Sequence, residues 1–176
     1  MLKGNMTEQP APGLVVNAPV SRPYWVGLLP LVIVPLIVGL DQLSKWIVRS
    51  SLDRGDVWPT GWFVNFVHVT NNGAAFGMLQ NSGPLLLVIT VLGAAGIAVY
   101  FLNLKNHEPL LRVGLALMLG GAIGNLVDRI ASGRVVDFIK VPNFPAFNVA
   151  DSAITIGVVV LVWTMTFRDA KSKKQS

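Results

Sequence analysis

Four stretches of this chain each approach or exceed the roughly 20 apolar residues that a helix needs to cross the hydrocarbon of a bilayer. Residues 24–40 carry no charge, and the helical pattern continues through Asp41-Gln-Leu-Ser-Lys45 to Val48. Residues 84–104 carry no charge either. Residues 109–127 contain only Arg112, and 146–167 only Asp151. Glycine and proline recur inside these stretches, which membrane helices tolerate. In 176 residues, four such helices leave little polar material to cover a water-facing surface. Charged residues amount to 13% of the chain, about half the usual soluble share of roughly 25%, and mean hydropathy is +0.58. An ordinary soluble enzyme, a disordered chain and a fibrous repeat are thereby excluded. The sequence predicts a mainly α membrane protein of four transmembrane helices, joined by connections of about 35, 4 and 18 residues.

Charge gives the orientation. An even number of spans puts both termini on one side. That side, with the 105–112 turn, carries Lys3, Arg22, Lys105, Arg112, Arg168, Lys171, Lys173 and Lys174 against Glu8, Glu108 and Asp169. The other side carries Lys45, Arg49, Arg54, Arg129, Arg134 and Lys140 against Asp41, Asp53, Asp56, Asp128, Asp137 and Asp151. The whole net charge of +5 therefore lies with the termini, which the positive-inside rule makes cytoplasmic. The basic excess is a topology signal, and no nucleic-acid partner is expected. Residues 1–22 read as a disordered cytoplasmic tail, 23–168 as the membrane domain with an external segment over 49–83, and 169–176 as a second cytoplasmic tail. Six of the seven aspartates fall on the external side.

The external segments have their own patterns. Residues 58–70 are rich in aromatic and β-branched side chains, and Trp62, Val64 and Phe66 alternate with Phe63, Asn65 and Val67. They read as a strand in a small β ribbon or cradle beside the outer membrane face, either lying on the headgroup layer, which suits Trp58 and Trp62, or packed as a plug on the helices. A turn at Asn71-Asn-Gly73 follows, and its small residues allow a close backbone approach.

The third helix ends in Gly120-Gly-Ala-Ile-Gly-Asn125-Leu-Val-Asp128-Arg129. Gly121, Asn125 and Arg129 recur at i, i+4 and i+8 and share one face. Asp128 and Arg129 alone read as interface anchors. Asp137 lies between apolar residues, where a carboxylate is costly without a partner; the plain reading is an ion pair with Arg134 or Arg129. Asn148 can cap the fourth helix, placing Asp151 at its third position in a capping box. Taken together, two aspartates at one membrane depth make the smallest acid/base pair for peptide hydrolysis. Close carboxylates do not both ionise easily, so they share a proton. The ionised one activates water; the protonated one polarises the carbonyl and later serves the leaving nitrogen. The helix dipole favours charge on Asp151, so Asp137 is expected to hold the shared proton.

Competing chemistry is thin. Cysteine is absent, His68 and His107 stand in different segments, and there is no HExxH, so no metal or other cofactor is expected. Neither GxSxG nor GxSG occurs. Ser44 and Lys45 are sequence neighbours, whose side chains diverge by about 100° on a helix and form no dyad. The alternative function is a small proton- or cation-coupled transporter, but such proteins usually place charges near the midplane and carry internal repeats. Here the charges cluster at one face and no repeat is evident.

DQLSK at 41–45, NNGAAFG at 71–77, GGAIGNLVDR at 120–129, GRVVDFI at 133–139 and FNVADSAITIG at 147–157, in this order within four spans, resemble the bacterial lipoprotein signal peptidases (signal peptidase II). The resemblance covers residues 24–167. It implies an aspartyl endopeptidase of the bacterial cytoplasmic (inner) membrane, cutting prolipoproteins at the outer face, just before a lipobox cysteine that carries diacylglycerol. It implies Asp137 and Asp151 as the catalytic pair. Asp41, Lys45, Asn71, Gly73, Gly121, Asn125, Asp128, Arg129, Asn148 and Ala150 would be supporting or substrate-binding residues. Membrane lipid and globomycin-type inhibitors would be ligands, with no obligate protein partner. A lipidated substrate would enter laterally, and Trp62 or Phe66 on the ribbon would touch the lipidated cysteine.

Overall fold

The computed structural model describes residues 25–71, 83–104 and 108–172. The expected tail at 1–22, the turn beyond Asn71 with Gly73, and residues 173–176 lie outside the described residues. Four helices are long and apolar enough to cross a membrane: α1 (Trp25–Ser51), α2 (Gly83–Leu102), α3 (Pro109–Ser132) and α4 (Val149–Ser172). Their starts and stops follow local chemistry. Pro109 opens α3 at a position whose N–H would have no helical partner. Gly133 closes it in the left-handed region (φ 71°) and donates its N–H to the Arg129 carbonyl at 2.9 Å. Asn148 caps α4 as the sequence predicts: its Oδ1 accepts the Asp151 N–H at 2.9 Å, while Asp151 Oδ2 accepts the Asn148 N–H at 3.2 Å. At the other end, α4 continues to Ser172, into the stretch read as a tail.

The third helix is the inner one. It packs against α1, α2 and α4, whereas α2 packs against α3 alone among these helices. Close packing depends on missing side chains. A Cβ on Gly114 would meet the Gly157 carbonyl at 3.0 Å, and one on Gly121 would run into the Ala150 carbonyl. The glycines therefore set the α3–α4 separation. Leu31, Val32, Leu92 and Val159 point outward, each more than 60% exposed. Water would not tolerate that apolar surface; lipid does. The protein is a multi-pass membrane protein.

Beside the end of the bundle where α1 and α3 finish and α4 begins lies an antiparallel sheet in the order β1 (Val57–Trp58), β2 (Asn65–Asn71), β3 (Val135–Lys140). This corrects the strand expected over 58–70. Residues 59–64 are turns and bends. Pro59 has no N–H to give a ladder, and Gly61 sits at φ 80°. The alternation through Trp62–Val64 therefore falls in a loop, where Trp62 and Phe63 are more than 70% exposed. Strand β3 was not anticipated. Its first four residues are all buried, so it lacks the alternation of a half-exposed strand. It pairs with β2 through Thr70–Val136 and Val69–Asp137. Beyond it, Phe147 accepts the Ile139 N–H at 2.8 Å and returns its own at 3.0 Å. Val48 of α1 packs with Val136 and Phe138, which fixes the sheet to the helix bundle.

Candidate active site

The site is built in two polar tiers. The lower tier starts on α1, where Asp41 and Lys45 stand one turn apart with no exposed surface. The Lys45 ammonium has three protons and no lone pair. Each proton has an acceptor: Asp41 Oδ2 at 2.7 Å, Asp128 Oδ2 at 3.0 Å and Asn125 Oδ1 at 3.1 Å. Asp41 Oδ1 accepts the Ala150 N–H at 3.0 Å, and Asp128 Oδ2 accepts the Val136 N–H at 3.2 Å. Arg49 approaches Asp128 Oδ1 at 3.5 Å. Gln42 donates to Asp41 at 3.1 Å and to the Gly124 carbonyl at 3.0 Å. Buried charges are tolerable only when every lone pair and proton is matched in this way.

The upper tier holds Asp137 and Asp151. Asp137 rides on β3 and accepts from Asn148 Nδ2 at 2.8 Å through one oxygen and from Asn71 Nδ2 at 3.1 Å through the other. Asp151 lies in the first turn of α4 and accepts from Asn125 Nδ2 at 2.8 Å as well as from the Asn148 N–H. All four carboxylate oxygens thus meet a donor on the protein side. Asn148 touches both acids and also gives Nδ2 to Asn125 Oδ1 at 3.1 Å, which joins the two tiers. Burial pushes the Asp137 carboxyl up to about 7, and the charge of Asp151 adds to the rise. The hydrogen bonds from Asn71 and Asn148 favour the ionised form but do not win.

Both aspartates line one cavity of about 590 Å³. Asn71, Asn125 and Arg129 share its polar wall, and Phe144, Phe147, Ile154 and Ile156 contribute apolar wall. The arrangement can hold one proton between two acids beside an apolar recess, with room for a peptide and a water. Among the described residues no group of three His, Asp or Glu side chains is placed to hold a metal ion.

The sequence-predicted residues fall into place unevenly. Asp137, Asp151, Asn71 and Asn125 meet at the cavity; Asn148, fully buried, braces both acids from behind; Asp41, Lys45, Asp128 and Ala150 form the further support; Gly121 packs beneath Ala150. Gly73 lies outside the described residues. The ion pair considered for Asp137 with Arg129 or Arg134 is absent among the described residues; Arg129 lines the cavity and donates weakly to the Asn125 carbonyl at 3.5 Å. Trp62 and Phe66 do not line the cavity. Residues 144–147 do, and sequence reasoning assigned them no role beyond an extended path. Gln42 was also missed, although it stands inside the DQLSK block. The available signal was an amide directly after Asp41; its half-buried position and its reach to Asp128 are tertiary.

Comparison with known proteins agrees on one relationship. The family model for "Signal peptidase (SPase) II" matches residues 33–167. The lipoprotein signal peptidase of Moorella thermoacetica is 43% identical over 136 residues, covering 77% of this chain and 91% of that protein. That of Geobacillus kaustophilus is 45% identical over 151 residues, covering 82% and 92%. A bacterial membrane enzyme solved by the in meso method superposes with a TM-score of 0.78 at 31% identity, covering 87% of this chain and 95% of its own. The transporter alternative finds no support in these relationships.

Proposed function

This chain belongs to the signal peptidase II family, whose members are proteases that remove signal peptides from prolipoproteins, and from that premise we propose that Asp137 and Asp151 are its catalytic pair. The observation that carries the proposal is the shared cavity wall. Two acids from different elements meet one recess, each braced from behind, with the Asp137 carboxyl raised to about 7 by burial and by the charge of Asp151.

The reaction follows from their placement. Asp151, ionised, takes a proton from a water as that water attacks the scissile carbonyl carbon. Asp137 gives its proton to the carbonyl oxygen, and a tetrahedral diol forms. Asp151 then passes its proton to the leaving nitrogen, Asp137 recovers one from the diol, and the C–N bond breaks. One water is consumed and both acids regain their starting states. No covalent intermediate is needed.

The substrate in this reading is a prolipoprotein whose lipobox cysteine carries diacylglycerol, cleaved just before that cysteine. The apolar wall of Phe144, Phe147, Ile154 and Ile156 suits acyl or apolar side chains, and is where a globomycin-type inhibitor would sit. Clustering of the basic residues with the termini supports cytoplasmic ends and an extracytoplasmic site in the bacterial inner membrane. Arg129, free of ion pairs among the described residues, is available to orient substrate carbonyl groups.

The test is cleavage of a diacylglyceryl-modified prolipoprotein by the purified protein beside Asp137→Asn and Asp151→Asn. Cleavage by the parent, lost in both folded variants, supports the pair. Activity surviving in either variant refutes it and turns attention to Asp128.

A further inference from the structure

A buried lysine is expensive, and Lys45 has no exposed surface. Neutralising Asp41 and Asp128 explains two of its three protons. The third goes to Asn125 Oδ1, and that contact has a consequence one residue away. A side-chain amide is two-faced: its oxygen accepts and its nitrogen donates. Lys45 can only donate, so the face of Asn125 turned toward it must be the oxygen. Asn148 Nδ2 enforces the same choice from the other flank at 3.1 Å. With its oxygen claimed twice, Asn125 has one group left for Asp151, and it is the donor: Nδ2 lies 2.8 Å from Asp151 Oδ1. An amide turned the other way would set oxygen against oxygen there.

We propose that Lys45 is a positioning residue that locks the Asn125 amide with its N–H side toward Asp151, so that the dyad's water-activating acid always meets a donor and never a competing acceptor. The inference rests on the assignment of Asp137 and Asp151 made above. Lys45 contacts neither acid and lines no part of the cavity; its charge opposes the rise at Asp137 through space, and its contact with the dyad's surroundings is made through Asn125. The groups facing this pair are Asp41 from its own helix, Asp128 and Arg129 from α3, Asp137 from β3 and Asp151 from α4. Lys45 is the cation among them that hydrogen-bonds the Asn125 side chain.

The test is a double-mutant cycle on turnover and stability in one detergent, using a diacylglyceryl-modified lipopeptide. Asn125→Ala and Lys45→Met should each lower kcat by about a hundredfold, the usual scale for misplacing a reacting group, and Lys45→Met should leave KM within about twofold. The double variant should be no slower than Asn125→Ala alone. Losses that multiply would assign Lys45 a purely structural role and overturn the proposal. Lys45→Met also strands two carboxylates and risks failing to fold, so Asn125→Asp tests the same lock with Lys45 intact. Its oxygens suit the ammonium but set a carboxyl against Asp151, a like-charge contact that costs stability, so it should fold, melt below the parent and lose at least a hundredfold in kcat. Asn125→Asp retaining a tenth of parent turnover would overturn the lock. Asp151→Asn separates the two ideas. If it remains active, the dyad assignment itself falls. If it is inactive while the cycle is multiplicative, only the role of Lys45 falls.

Discussion

Asparagine in place of Asp137 should change how stability depends on pH, by an amount that follows from where the carboxyl sits. The group's ordinary value is 3.8, and burial followed by the charge of Asp151 pushes it up to about 7 in the folded protein. Below pH 3.8 the carboxyl is protonated in both folded and unfolded chains, and its contribution is fully present. Between 3.8 and 7 the unfolded chain releases the proton while the folded one keeps it. Stability then falls by about 1.4 kcal/mol per pH unit. Above about pH 7 both forms are ionised and the loss is complete, at about 4 kcal/mol.

The substituted amide does not titrate, so the Asp137→Asn variant escapes that slope. It carries a different penalty. Two amide donors, Asn148 Nδ2 at 2.8 Å and Asn71 Nδ2 at 3.1 Å, face the two carboxyl oxygens. An amide has one oxygen, so one donor meets an N–H₂ instead, at a cost of about 1–3 kcal/mol. The two effects nearly cancel at about pH 5. From pH 5 to pH 8 the variant should gain about 2–3 kcal/mol relative to the parent, whatever the hydrogen-bond penalty. Denaturant unfolding in one non-ionic detergent at unit pH steps measures it, with Asp53→Asn as an exposed control. Parallel stability profiles for parent and variant would refute the claim that Asp137 is folded with its proton. Asp151→Asn removes the second cause of the rise, so the inflection in its own profile should move to lower pH.

Three further outcomes follow. If catalysis needs protonated Asp137, log kcat should fall with slope near −1 above about pH 7; a flat profile to about pH 9 would refute this. Gly121→Ala places a methyl against the Ala150 carbonyl and 2.8 Å from Ile154 Cγ1, so it should cost about 1–3 kcal/mol and most of the activity. Gly96→Ala, with open space around it, should cost neither; thermal melts of the two decide. Asp128→Asn weakens a buried ion pair and should lower stability by about 3–5 kcal/mol; a melt within about 2 °C of the parent would show that Asp41 alone suffices for Lys45.

The helices were legible because a bilayer fixes their length and their ends are marked by proline, glycine and charge. The start of α4 was readable to the residue, since Asn148 and Asp151 stand at the spacing of a reciprocal cap. Strand β3 was not readable from periodicity. Covered on both faces, Val135–Phe138 shows no alternation. The ribbon at 58–70 was over-read because exposed aromatics over 62–64 imitate the alternation that burial would have produced. Within the site, the sequence set Asp137 and Asp151 apart from Asp128 as the acid/base pair, but it could not show what holds each acid. That depends on contacts between residues far apart in sequence. Lys45 reaches Asp128 and Asn125 across about 80 positions, and Asp41 reaches the Ala150 N–H across 109. No local pattern encodes those meetings. The aromatic wall at 144–147 was hidden for a related reason: Pro142 and Pro145 signal a loop, and a loop's facing partner is a tertiary fact.

On the dyad reading, the asymmetry that acid/base chemistry needs is written into the backbone rather than into residue type. The two acids are identical side chains and meet the same cavity. One opens a helix, where the free N–H groups and the dipole favour negative charge; it takes the Asn148 N–H and the Asn125 amide. The other sits in the middle of a buried strand, where the backbone offers no such field and desolvation dominates. Exchanging the helix and the strand would exchange the roles. The ion cluster of Asp41, Lys45 and Asp128 is then more than a structural anchor. It holds α1, α3, β3 and α4 in one register through Ala150 and Val136, and it fixes the amide that faces the helix-borne acid. The cluster, outside the cavity, thereby supports an asymmetry whose cause is the burial of Asp137 and the helix end under Asp151.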